Sequence, residues 1–408
     1  MTMKTDGAHK AGARVRRIRP PAAADTPPPG ATEPAPPQPA LMERHSSPTV
    51  DQVTIHRKNM SHYYITAHPT PEDSPTSMFT NLAAAVQAAG AQIVSQFVFG
   101  GSEMHASGIP EAERNSSQSG WPVTWIHGDG PSGGAWSGTQ AYAVSQAAVR
   151  PILLDGRVVG SWSENGDAAY CLLGDIRPTD RTGTPAEQTR QVFDQIAAAL
   201  RLIGMDFSHV VRTWFYLDKL LAWYDDFNAV RTRWFKEHGV FQRLVPASTG
   251  IGVGNPHGTA LVADVLAIQP KNDSVTIQAV PSPLQCPALD YASSFSRAVE
   301  VQFPDHRRLY VSGTASIDPQ GRTANVGDVR RQIDLSMRVV EAILDSRRIS
   351  WQDAVRGIAY FKNIAEAPLF HAYVRERHLP HLPVAVAHSD ICRDDLLFEI
   401  ELDLAVPR

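Results

Sequence analysis

Between residues 187 and 203 apolar side chains recur at helical spacing, with Val192, Ile196, Leu200 and Ile203 on one face. Thr184-Pro185-Ala186-Glu187 stands just before them and has the form of a capping box with proline at the first helical position, so the pattern predicts a helix that starts there. A short turn then leads into a β-rich run, Val210-Val211-Arg212-Thr213-Trp214-Phe215-Tyr216. The same pattern returns later in the chain: residues 187–217 align without gaps on residues 331–361. Gln188 falls on Gln332, Ile196 on Val340, Leu200 on Leu344, Phe207 on Trp351, Val211 on Val355, Arg212 on Arg356 and Tyr216 on Tyr360. A weaker echo runs from Phe79 through Gln87-Ala88-Ala89-Gly90 to the apolar run ending at Phe99.

Each full copy continues with a second helix (residues 222–236 and 368–378) and a closing strand (260–268 and 396–406), and a pair of strands precedes each long helix. The predicted unit is β-β-α-β-α-β, a mixed sheet with two helices on one face, which makes the chain α+β. Repetition at this length means tandem domains rather than a solenoid of ~20–50-residue repeats. The expected division is a degenerate unit over residues 48–145, a first full unit over 146–275 and a second over 276–408. Residues 1–47 carry Pro27-Pro28-Pro29 and Pro34-Ala35-Pro36-Pro37 behind Arg14, Arg16, Arg17 and Arg19. With too few large apolar groups to offset ordering entropy, this stretch is expected to be a disordered tail, or an extension upstream of an older start at Met42.

Composition narrows the function. Among 408 residues, 38 basic against 42 acidic side chains give a net charge of −4, without the basic footprint of a nucleic-acid binder. No apolar run approaches the ~18 residues of a membrane-spanning helix. Cys171, Cys286 and Cys392 are far apart and form no disulfide framework, which points to a reducing, cytoplasmic compartment. The histidines form no HExxH, and Pro380 separates His378 from His381, so no metal is expected. The Gly-rich run from His127 to Gly134 lacks the Gly-Lys-Ser/Thr ending of a phosphate loop and reads as a mobile loop.

The order of elements, with the closing strand Phe398-Glu399-Ile400-Glu401, resembles the Rid (YjgF-like) family, whose small subunits assemble as trimers with ligand sites between neighbours. Longer strings resemble one branch, the chorismatases: Trp223-Tyr224-Asp225-Asp226-Phe227-Asn228-Ala229-Val230-Arg231, Pro246-Ala247-Ser248-Thr249-Gly250-Ile251-Gly252, Ser293-Ser294-Phe295-Ser296-Arg297-Ala298, Val311-Ser312-Gly313-Thr314-Ala315-Ser316 and Cys392-Arg393-Asp394-Asp395-Leu396-Leu397-Phe398-Glu399. The resemblance covers roughly residues 60–405 and implies a monomer folded as an internal pseudo-trimer. It further implies conversion of chorismate to 3-hydroxybenzoate, alone or accompanied by 4-hydroxybenzoate, and pyruvate without cofactor or metal, with hydrolysis to a dihydroxycyclohexadiene carboxylate or imine deamination as alternatives.

In the closing strand Phe398, Ile400, Leu402 and Leu404 alternate with Glu399, Glu401 and Asp403, so the carboxylates share one face. On spacing alone that face could be solvated. In a pseudo-trimer it looks toward a neighbouring unit, where desolvation keeps a carboxyl protonated. The resemblance places the catalytic acid at Glu399, and the first full unit, aligned by sequence, has Ala263 there. Chorismate carries two carboxylates, which suit the planar fork of arginine. Tyr224, Arg231, Tyr291 and Arg297 are the expected substrate contacts, and Pro383-Val384-Ala385 lacks the arginine that Rid deaminases carry there. Cys392 reads on its own as a small buried hydrophobe; the resemblance links it to the 3-hydroxybenzoate-forming branch. Arg212 and Arg356, repeated at one place in both units, are expected to form structural ion pairs.

Overall fold

Thr184 accepts a hydrogen bond from the Glu187 amide, and the Glu187 side chain accepts from the Thr184 amide. This closed capping box starts the helix Pro185–Arg201, whose Val192, Ile196 and Leu200 are fully buried. The computed structural model describes residues 38–69, 75–101, 120–130 and 136–408; most of the expected tail and part of the Gly-rich run after His127 lie outside them.

The described chain forms three six-stranded sheets. The first holds β1 (Leu41–Ser46), β2 (Val50–His56), β3 (Ser61–Ala67), β4 (Gln92–Gly100), β5 (Val123–His127) and β6 (Trp136–Ser145), with helix α1 (Pro75–Ala88). The second holds β7 (Val149–Leu154), β8 (Arg157–Glu164), β9 (Ala168–Ile176), β10 (Val210–Leu217), β11 (Ala247–Gly252) and β12 (Leu261–Pro270), with α2 (Pro185–Arg201) and α3 (Tyr224–Glu237). The third holds β13 (Thr276–Val280), β14 (Ala298–Gln302), β15 (His306–Ala315), β16 (Ala354–Phe361), β17 (Val384–His388) and β18 (Phe398–Pro407), with α4 (Val329–Ser346) and α5 (Ala367–Glu376). The strand orders β1-β2-β3-β6-β4-β5, β7-β8-β9-β12-β10-β11 and β13-β14-β15-β18-β16-β17 are one topology three times, a tandem α+β pseudo-trimer. Each sheet has two strands beyond the predicted unit: an outer edge strand and a short strand paired parallel to the one before it.

β1 begins inside the segment expected to be disordered. Residues 41–46 pair in antiparallel register with β2, and the Arg44 guanidinium donates to the Ala354 carbonyl at 2.6 Å. Proline content hid this strand; it is held by the backbone ladder and a contact far away in sequence.

The closing strand β18 has two buried faces. Phe398, Ile400, Leu402 and Leu404 pack in one cluster with Ile333, Met337, Val340 and Leu344 of α4. Glu399, Glu401 and Asp403 face the other way and are 4%, 0% and 4% exposed. Their burial comes from the neighbouring sheets, whose inner faces meet in a shared core containing Phe97, Phe99, Trp214, Tyr216, Tyr310 and Tyr360. Arg212 donates to Glu401 at 2.8 Å and Trp214 Nε1 to Glu401 at 2.9 Å. Arg356 lies 3.1 Å from Glu401 and 3.3 Å from Asp403, with its guanidinium over the rings of Phe97 and Trp214. The repeated arginines thus tie the second and third sheets together. Removing one member of such a network leaves a buried charge and typically costs ~3–5 kcal/mol.

Candidate active site

A cleft of about 180 Å³, open at its mouth, lies between the second and third sheets. Helix α3 brings Tyr224, Asn228 and Arg231 to it, spaced so that they share one face. Strand β11 brings Ser248 and Gly250, and β15 brings Gly313 and Ala315. Tyr291, Ser293, Phe295 and Arg297 come from the connection between β13 and β14, residues 281–297. That connection is pinned to the second sheet: Ser296 donates from its amide to the Pro246 carbonyl at 2.9 Å and from its hydroxyl to the Val245 carbonyl at 2.7 Å. Cys392, Arg393 and Glu399 complete the walls. The six side chains singled out from sequence, Tyr224, Arg231, Tyr291, Arg297, Cys392 and Glu399, therefore line one cavity.

Glu399 sits over the backbone of Gly313. A β-carbon built on that glycine would stand 1.9 Å from Glu399 Oε1, so only glycine leaves room for the carboxyl. Burial, aided by the charge of Glu401, pushes the Glu399 carboxyl up to about 8, against the opposing influence of Arg212 and Arg297. At neutral pH it is a protonated acid. Burial also holds the Cys392 thiol at about 12 and the Tyr291 phenol at about 12, and raises Tyr224. Cys392 is accordingly a neutral thiol, and both phenols are neutral.

The cations are unusual in their company. Arg231, 2% exposed, donates to Asn228 Oδ1 at 2.5 Å and lies over the rings of Phe227 and Phe295. Arg297, 6% exposed, donates twice to the Cys286 carbonyl, at 3.0 and 2.8 Å, and lies over Tyr291 and Phe295. Among the described residues the hydrogen-bond acceptors of both guanidinia are neutral, an amide oxygen and a backbone carbonyl. A neutral acid beside buried cations that lack counter-ions suits an anionic substrate that must be protonated. No three His, Cys, Asp or Glu side chains among the described residues converge so as to hold a metal ion.

Sheet register corrects one sequence-based assignment. Tyr360 of β16 stands opposite Glu399, and its counterpart Tyr216 of β10 stands opposite Val262, not Ala263. Ala263 points into the helix-packed core. The sequence alignment slipped by one residue, which in a strand exchanges the two faces. Sequence reasoning also passed over Gly313, Asn228 and Arg393. Gly313 and Asn228 lay within quoted strings, but a glycine's steric role and a helix face shared with Arg231 emerge only when the strands meet.

The family profile described as Endoribonuclease L-PSP matches residues 176–263. Over 277 residues the chain is 28% identical to a chorismatase of Streptomyces hygroscopicus, covering 60% of this chain and 76% of that one. It is 26% identical over 270 residues to a 3-hydroxybenzoate synthase of the same organism, covering 59% and 75% respectively. A crystal structure of a chorismatase superposes with a TM-score of 0.60 at 20% identity, covering 77% of this chain and 93% of that one, which establishes a shared fold. With three repeats of one sheet topology and an L-PSP profile over part of the second, the chain shares the fold of a chorismatase and is similar in sequence to chorismatases over about three quarters of their length.

Proposed function

We propose that this protein converts chorismate to 3-hydroxybenzoate and pyruvate, with Glu399 as the acid. The observation that carries this reading is a carboxyl kept neutral by burial, seated on Gly313 in a cleft whose buried arginines have no carboxylate partner. Glu399 gives its proton to the terminal methylene of the enolpyruvyl ether, and the ether carbon becomes an oxocarbenium ion. Capture of that carbon by water yields a hemiketal, which collapses to pyruvate and a dihydroxycyclohexadiene carboxylate with one water consumed. Capture by the neighbouring ring hydroxyl gives a cyclic ketal; its bond from oxygen to the former hydroxyl-bearing ring carbon breaks as the ring loses a proton, and the hemiketal left behind collapses to pyruvate and the hydroxybenzoate with no water consumed. Chorismate less pyruvate then has the composition of a hydroxybenzoate, and the proton lost as the ring aromatises restores the acid.

Cys392 supports the second course. Its neutral thiol lines the cleft wall beside Arg393 and the acid's strand, where its role in this reading is to keep water from the cation. The likeness to a 3-hydroxybenzoate synthase agrees with this choice. Arg231 and Arg297 receive the substrate carboxylates, with Tyr224 and Tyr291 as neutral hydrogen-bonding partners. The protein supplies position, a dry pocket and fixed charge.

The test is incubation with chorismate, following pyruvate by a coupled assay and the ring product by chromatography. Pyruvate and 3-hydroxybenzoate in equal amounts are expected. Pyruvate with the diene diol as sole ring product would overturn the branch assignment, and absence of pyruvate would overturn the reaction.

A further inference from the structure

A third guanidinium lines the cleft and has even less company than the first two. Arg393 is half-buried and lies with its guanidinium 5.5 Å from the centre of the Tyr291 ring. Arg297 lies 5.3 Å from the centre of the same ring, so one tyrosine serves two arginines. The hydrogen bond found for Arg393 is a long one, from Nη1 to Thr323 Oγ1 at 3.4 Å. The acids beside it in sequence do not pair with it directly: Asp394 pairs with Lys362 at 2.6 Å, and Asp395 accepts at 2.8 Å from the same Thr323 hydroxyl to which Arg393 donates. Among the described residues no carboxylate pairs with Arg393. Arg297, in contrast, spends two N–H groups on the Cys286 carbonyl, and Arg231 spends one on Asn228. Arg393 therefore has as many donors left over as Arg231 and more than Arg297, holds its one acceptor at the longest distance of the three, and is more exposed than either.

We propose that Arg393 is a substrate-binding residue of this cleft, which receives the outermost carboxylate of a dicarboxylate jointly with Arg297, while the Tyr291 ring that both guanidinia share holds its own in place. The inference rests on the functional reading above and adds a subsite to it. Arginine favours such a role because its donors match a carboxylate bidentately and because it stacks on aromatic faces. Such an interaction is made equally in the ground and transition states, so its loss raises KM and leaves kcat nearly unchanged.

The experiment measures pyruvate release from chorismate by wild type, Arg393→Gln and Arg393→Lys at several salt concentrations. For Arg393→Gln we expect KM to rise at least ~10-fold, kcat to stay within ~3-fold, and KM to lose part of its salt dependence. Arg393→Lys should recover part of the affinity. An unchanged KM and salt slope in Arg393→Gln would overturn the subsite. A structural role would lower the melting temperature without changing the salt slope. Calorimetric binding of isophthalate and benzoate to the same proteins separates this proposal from the reaction itself. Wild type should prefer the dicarboxylate and Arg393→Gln should lose that preference, whether or not chorismate turns over. If wild type released no pyruvate yet showed this pattern, the reaction would fall and the subsite stand. Equal preference in both proteins would remove the subsite.

Discussion

The cleft between the second and third sheets and the corresponding junction between the first and second are built on strands of the same topology, yet among the described residues only the former is arranged as a site. At the first junction Val262 occupies the place of Glu399, and the nearest inward carboxyl, Asp264, stands at the register of Glu401. Burial pushes Asp264 up to about 8 as well, but both its oxygens accept from the Thr124 hydroxyl, at 2.7 and 2.8 Å, and one accepts from the Asp175 amide at 3.1 Å. The place of Gly313 is taken by Asp175, the residue before the strand partner of Ala263. Asp175 pairs with Arg157 at 3.0 Å, Arg177 at 3.1 Å and His257 at 2.9 Å. The strands that the long connection 281–297 joins in the third sheet correspond to strands joined by Asp155-Gly156 in the second and by residues 47–49 in the first. A raised carboxyl is therefore common to both junctions. What distinguishes the cleft is a carboxyl one step nearer the mouth, a glycine that admits it, a connection long enough to form a wall, and arginines without anionic partners.

The largest effect should come from removing the acid. Glu399→Gln is expected to lose at least ~100-fold in kcat while still binding chorismate in calorimetry. Wild-type turnover by this variant would remove Glu399 from the chemistry and erase the contrast with Val262. In the wild type kcat/KM should be level in acid and fall as pH rises through about 8, because the acid must be protonated to act. Stability follows the same group. Its native carboxyl holds a proton that the unfolded chain releases at lower pH, so the fold loses stability as pH rises between the ordinary glutamate range and about 8. Glu399→Gln should therefore melt higher than wild type near pH 8, with the gap closing toward pH 4; no gap at pH 8 would mean that the carboxyl is not neutral in the fold.

The seat of the acid comes next. Gly313→Ala forces the carboxyl aside, and a displacement of about 1 Å can cost ~100-fold in rate. A kcat loss of ~10–100-fold with KM within threefold is expected from steady-state kinetics. Unaltered kcat would show that the acid has another place to stand.

Cys392→Ala should leave pyruvate release within a few-fold of wild type but move product from 3-hydroxybenzoate toward the diene diol, because water gains room beside the ring. Chromatograms compared at equal pyruvate yield decide it. An unchanged product ratio would reduce Cys392 to a packing residue of the wall.

The smallest effect concerns the first sheet, away from the cleft. A chain starting at Gln38 should match the full chain in activity and melting temperature. Starting at Ser47 removes β1 and its Arg44 contact to Ala354, and should lower the melting temperature by several degrees with little change in kcat. Identical melting curves would show that β1 adds nothing to the fold.

The amino-acid sequence by itself determined the repeat, the capped start of the first long helix and the two-faced closing strand, because helical and strand periodicities are local and two long copies reinforce each other; the residues that line the cleft were legible through the resemblance of longer strings to the chorismatases. The ion pairing of Arg212 and Arg356 was legible for the same reason, since a charge repeated in a β-rich run needs a buried partner. Tertiary structure alone decided the rest. The register that replaces Ala263 by Val262 depends on hydrogen bonds between strands, and strand spacing in sequence does not specify them. The value of Gly313 lies in what is missing from it, which matters only once Glu399 lies above. The order in β1 comes from a ladder and a distant carbonyl that outweigh a proline-rich approach. Whether an arginine has spent its donors, as Arg297 has in two short bonds and Arg393 in only one long one, depends on the acceptors that folding brings near, and the neighbours Asp394 and Asp395 turn out to pair with Lys362 and Thr323.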